Sequence, residues 1–133
     1  VGDPVDHATL EFCAPEVLRA LQVHAWCPAA FSMDLFSLGR IIMWLASTDN
    51  DLWPDLPEDC SDAVKEAFLL SDTEFSLYGI HDDATRDIIN RLLQKSPQDR
   101  LTLKQLQDTT YVKMDMYTRK LYLKPNRECC RLS

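Results

Sequence analysis

The chain has 133 residues, 46% of them apolar and 26% charged, with a net charge of −7. That is enough for one domain with a hydrophobic core, and the acidic balance excludes a general affinity for nucleic-acid phosphates. Three glycines are too few for a Gly-rich loop that cradles phosphate. The five cysteines, Cys13, Cys27, Cys60, Cys129 and Cys130, are odd in number and include no CxxC pair, which argues against a zinc ribbon. With no signal peptide visible, reduced thiols in an intracellular, cytoplasmic setting are expected.

In chain order, the first element is a short helix from Glu16 to about Leu21, with Pro15 in its first turn. A loop carrying Trp26, Cys27 and Pro28 follows. Ser32 then stands as a cap for a helix from Met33 to about Ser47. Apolar residues surround that helix on nearly every side, as expected at the centre of a domain. Its run from Leu35 to Ala46 is too short for a membrane span and contains Arg40.

Residues 48–60, rich in turn formers, read as a loop. Ser61 or Asp62 starts a helix to about Leu70. Asp82 or Asp83 starts another, with Ala84, Ile88, Ile89, Leu92 and Leu93 on one face, ending before Pro97. Thr102 and Gln105 form a capping box for a last short helix, with Leu101 and Leu106 as its hydrophobic staple. No alternating strand pattern appears, so the expected class is all-α. Trp44 and Trp53 read as core and loop anchors. His7, His24 and His81 have no ligand-like spacing and are expected on the surface or in turns, and no metal site is expected.

Three stretches occur in a telling order: TLEFCAPEVL at 9–18, DLFSLG at 34–39, and IINRLLQKSPQDRLTLKQL at 88–106. Together they resemble the C-terminal lobe of eukaryotic serine/threonine protein kinases, from the end of the activation segment onward. The resemblance covers about residues 8–112. It divides the chain into residues 1–16, the end of the activation segment with its substrate-facing loop and APE motif; 17–112, the helical lobe; and 113–133, a basic tail.

The resemblance implies roles for particular residues. Glu16 matches the APE glutamate and Arg100 the arginine of the following turn, which in the family form a buried ion pair. Losing one partner of such a pair costs about 3–5 kcal/mol. Asp34 matches an aspartate that accepts hydrogen bonds from the catalytic loop; near a helix N-terminus it also suits the helix dipole. Gly39 would allow close approach of another segment. Thr9 matches a threonine that hydrogen-bonds the catalytic aspartate and lysine, and Leu10, Glu11, Phe12 and Cys13 would form the wall that receives the substrate residue after the phosphoacceptor; the lesser alternative is that Thr9 merely starts a turn. Ala8 stands where glycine is common, Leu10 where proline is more usual, and Phe36 where tryptophan is frequent.

The parent reaction implied is transfer of the ATP γ-phosphoryl group, with Mg²⁺, to a protein hydroxyl. These 133 residues contain no glycine-rich loop, H-R-D or D-F-G motif, so the chain is expected to be a fragment without catalytic or cofactor-binding residues of its own. Its partners would be a protein substrate and the missing N-terminal part of the kinase. The rival reading is a pseudokinase or scaffold lobe that acts as a binding module. From Asp49 to Asp83 there are eleven acidic residues and one basic. This is either a solvated loop surface or, beside the family's peptide groove, a preference for basic substrates. The terminal Cys130-Arg131-Leu132-Ser133 has the spacing of a prenylation box, and Cys129 is placed to take a second acyl chain beside basic residues that would meet a membrane. A basic tail with two idle thiols fits the same residues.

Overall fold

A computed structural model describes residues 8–113. The described residues include the helices α1 (Pro15–Gln22), α2 (Phe31–Ala46), α3 (Asp62–Leu70), α4 (Asp83–Leu92) and α5 (Leu103–Asp108), and residues 110–113 are helical as well. No β-strand occurs among the described residues, and the domain is mostly helical. The readings at Cys129 and Cys130, and most of the basic tail, lie outside the described residues.

Local chemistry sets most of the helix starts. Pro15 opens α1, where its missing N–H costs no hydrogen bond. Ser61 caps α3 by accepting from the Val64 amide, and Asp82 caps α4 by accepting from the Thr85 amide. Thr102 and Gln105 close a reciprocal capping box on α5. At α2 the expectation fails. The helix begins at Phe31 with Ala30 as its N-cap and no side-chain cap. Ser32 is therefore already helical, past the position from which its hydroxyl could cap.

The burial of α2 also departs from expectation. Leu35, Phe36, Gly39, Arg40 and Met43 form one buried stripe. Phe31, Ile41, Trp44 and Leu45 remain exposed, so Trp44 is no core anchor. The helix is apolar on both sides but has described neighbours on one. Its main partner is α4, while α1 packs on α3. Gly39 makes the α2–α4 approach possible. A Cβ there would lie 2.8 Å from Leu93 Cδ2 and 2.9 Å from Leu92 Cβ.

Beside this contact Phe36, Trp53, Phe68 and Phe75 form an aromatic cluster with ring centroids 5.3–6.4 Å apart. Trp53 is buried and anchors the loop after α2. Lys95 borders the cluster, with Nζ 4.7 Å from the Phe68 ring centroid and 5.5 Å from that of Phe75. Its Nζ donates to the Phe68 and Ser71 carbonyls at 2.7 Å each, satisfying the C-terminus of α3. Burial pushes its ammonium below the usual lysine pKa.

Candidate functional site

The strip before α1 folds as two consecutive turns. The Phe12 amide donates to the Thr9 carbonyl at 3.1 Å and the Cys13 amide to the Leu10 carbonyl at 3.4 Å. Such turns leave outward carbonyls that need donors, and α2 supplies them. Ser37 Oγ donates to the Phe12 carbonyl at 2.8 Å, and Arg40 Nε donates to the Glu11 carbonyl at 2.7 Å. Two adjacent peptide groups of the strip are thus fixed to one face of one helix.

The same strip is fixed at its other end through Glu16. Arg100 Nη1 donates to Glu16 Oε1 at 2.7 Å, and Arg100 Nη2 donates to Oε2 at 2.8 Å. This is the bidentate geometry that suits a guanidinium and a carboxylate. The remaining Arg100 donors go to the carbonyls of Gln94, Ser32 and Lys95. Its guanidinium carbon lies 5.0 Å from the centroid of the Phe36 ring. The Arg100 side chain has no exposed surface and that of Glu16 keeps 20%. One arginine therefore joins the starts of α1 and α2 to the turn between α4 and α5.

Between the strip and the start of α2 lies an open cavity of about 520 Å³, lined by Thr9, Phe12, Met33, Asp34 and Ser37 among others. Thr9 is exposed at its edge, whereas Leu10, Glu11 and Phe12 are half-buried. Of the expected wall residues, Thr9, Phe12 and Cys13 line this cavity, whereas Leu10 and Glu11 do not. Asp34 is exposed, stands in the first turn of α2 as the helix-dipole reading expects, and lines the cavity together with Thr9. The helix N-terminus favours a negative charge there. With hydroxyl, carboxylate and apolar surface, the cavity can hold a polypeptide segment; among the described residues it presents no hydrogen-bonded pair of nucleophile and base.

Cys13 and Cys27 are buried free thiols. Burial first, and then the nearby Glu16 carboxylate, push the Cys13 thiol up to about 11. Such a thiol stays protonated and unreactive at neutral pH. Among the described residues no three His, Cys, Asp or Glu side chains are grouped to hold a metal ion, and no helix is long and apolar enough to cross a membrane.

Sequence reasoning missed Arg40 as a site residue. The available signal was a cation inside an apolar helical run, directly after the one glycine that allows close packing. No family model matches the sequence, and comparison with curated proteins gives no match.

Proposed function

We propose that this chain is the helical C-lobe portion of a serine/threonine protein kinase, supplying substrate docking and lobe integrity rather than chemistry. The observation that carries the reading is the bidentate Glu16–Arg100 pair. It links an Ala-Pro-Glu helix start to the turn before α5 across 84 residues. Those are the two motifs that the resemblance puts in contact. The open cavity supports the reading as well, since Thr9 and Asp34 share it, as expected where a catalytic loop and a peptide would meet. On this reading residues 9–12 form the wall beside the phosphoacceptor, and the acidic loop after α2 favours basic residues in the substrate. ATP and Mg²⁺ belong to the parent kinase and are held by motifs that this sequence lacks.

Two measurements test the reading. The reading frame ahead of Val1 should encode the strand lysine, H-R-D and D-F-G; intact flanks with those residues replaced would make it a pseudokinase lobe, and unrelated sequence there overturns the reading. Calorimetry on the 133-residue chain should give no heat of MgATP binding. Stoichiometric binding at micromolar affinity would remove the division of labour proposed here.

A further inference from the structure

Arg40 is 1% exposed at the centre of α2, and among the described residues no carboxylate forms an ion pair with it. Its hydrogen-bond partners are neutral, and the Glu11 and Asp51 carboxylates attract it only from beyond ion-pair distance. Nε donates to the Glu11 carbonyl at 2.7 Å, and Nη1 donates to the Leu52 carbonyl at 2.8 Å and to Met43 Sδ at 3.6 Å. The guanidinium carbon lies 4.4 Å from the Trp53 ring centroid and 4.5 Å from that of Phe75. Nη2 is buried with no hydrogen-bond partner among the described residues. An apolar side chain of similar length would fill this space with no charge to desolvate. What the guanidinium adds is a planar fork with donors in fixed, divergent directions.

Those donors reach two loops that lie 29 residues before and 12 residues after Arg40. Neither loop has a ladder of its own to hold it. We propose that Arg40 is the positioning residue of the wall, a single buried guanidinium that locks strip 9–13 to loop 51–53 so that the two open and close together. The name "wall" rests on the kinase reading; the coupling does not. Ser37 is a weaker tether, because its one hydroxyl proton is shared between the carbonyls of Phe12 and Met33. The single Nε proton of Arg40 has one acceptor. The Leu52 end matters because the next amide, that of Trp53, donates to Asp51 Oδ1 at 2.8 Å. The acidic loop is thereby shaped from the same point as the wall.

The test is native-state amide hydrogen exchange on the whole chain, wild type against Arg40→Met and Arg40→Lys. The Phe12, Cys13 and Trp53 amides should exchange faster together, by about tenfold in each variant, because a bond to a charged donor is lost at both loops. The Leu93 amide, which donates to the Ile89 carbonyl at the end of α4, should be unchanged. Ser37→Ala should accelerate Phe12 and Cys13 and leave Trp53 alone. Unchanged exchange in either loop overturns the proposal, as does acceleration of one loop without the other. Should Arg40→Met fail to fold, Arg40→Lys carries the test; global unfolding of the lysine variant too would make Arg40 a core residue and overturn the positioning role. The exchange pattern is independent of any kinase activity, so a reading frame that removes the kinase reading leaves this result standing or fallen on its own.

Discussion

Arg100 is buried against the N-terminal turn of α2, and Arg40 is buried at the middle of that helix. Arg100 has a carboxylate in bidentate contact, and its guanidinium makes five hydrogen bonds to five acceptor oxygens, the full complement of an arginine. Arg40 has no ion-pair partner among the described residues, two carbonyls, two ring faces and one orphaned nitrogen. Burial lowers its pKa to about 10, against a weaker upward pull from Glu11 and Asp51. The difference separates two uses of one residue type. Arg100 is part of a matched pair, so removing either half strands the other. Arg40 is a tether, and removing it strands only neutral groups. Stability should therefore depend steeply on the first and weakly on the second.

The largest effect is expected at the pair. Glu16→Ala and Arg100→Ala should each lower the urea-unfolding free energy by about 3 kcal/mol, and the double variant should cost far less than their sum. Additive losses below about 0.5 kcal/mol would mean that the pair behaves as exposed, uncoupled charges, and the contrast with Arg40 would vanish.

Between the two arginines sits Gly39, where α2 touches α4. Gly39→Ala gains about 1 kcal/mol of helix propensity but drives a Cβ to 2.8 Å from Leu93 Cδ2 and 2.9 Å from Leu92 Cβ. Leu93 is the end of a side chain and can yield, whereas the Leu92 Cβ moves only with its backbone. A net loss of about 2 kcal/mol is expected from overpacking. A variant as stable as wild type would show that α4 can shift without disturbing either arginine.

The contrast also marks what the sequence makes legible. Helix starts at Pro15, Ser61, Asp82 and Thr102 are readable because each cap acts within a few residues of itself. Ser32 misleads because a serine one residue inside a helix looks like one at its edge. The apolar run of α2 reads as buried all round, yet pattern cannot tell which flank has neighbours, and Trp44 and Leu45 stay exposed. The order of motifs points toward Glu16 and Arg100 as partners, although no local pattern links residues 84 apart. Arg40 has no such guide. Its role depends on Leu52, Trp53 and Phe75 arriving from loops whose paths are set by the finished fold.

Cys13 lies within the strip that both arginines hold, and it gives a pH handle on the Glu16 side. Its thiol pKa is raised from 9.0 to about 11 in the fold. An unfolded chain releases this proton above pH 9 while the folded chain keeps it, so U binds fewer protons and stability falls as pH rises through that window. The contribution is intact below pH 9. Cys13→Ala should abolish this part of the alkaline loss, on the order of 1–2 kcal/mol between pH 8.5 and 11. Parallel stability curves for the two proteins across that range would place Cys13 in contact with solvent.

The smallest global effect is expected from Arg40→Met. Burial disfavours the Arg40 cation and lowers its pKa to about 10, a penalty present at every pH below the folded pKa. Methionine removes that penalty and keeps most of the packing against Trp53 and Phe75. It also forfeits two charge-assisted hydrogen bonds and leaves the Glu11 and Leu52 carbonyls without these donors, at about 1.5–3 kcal/mol for each lost bond. The two terms oppose each other, and replacing a buried charge by an apolar side chain of similar volume is often near neutral, so the unfolding free energy should change by less than about 1 kcal/mol. Arg100→Met, with the same change of side chain, should cost about 3 kcal/mol because Glu16 is then left without its countercharge. Equal losses in the two methionine variants would mean that Arg40 is held as tightly as Arg100, by a charge that its neutral partners do not supply.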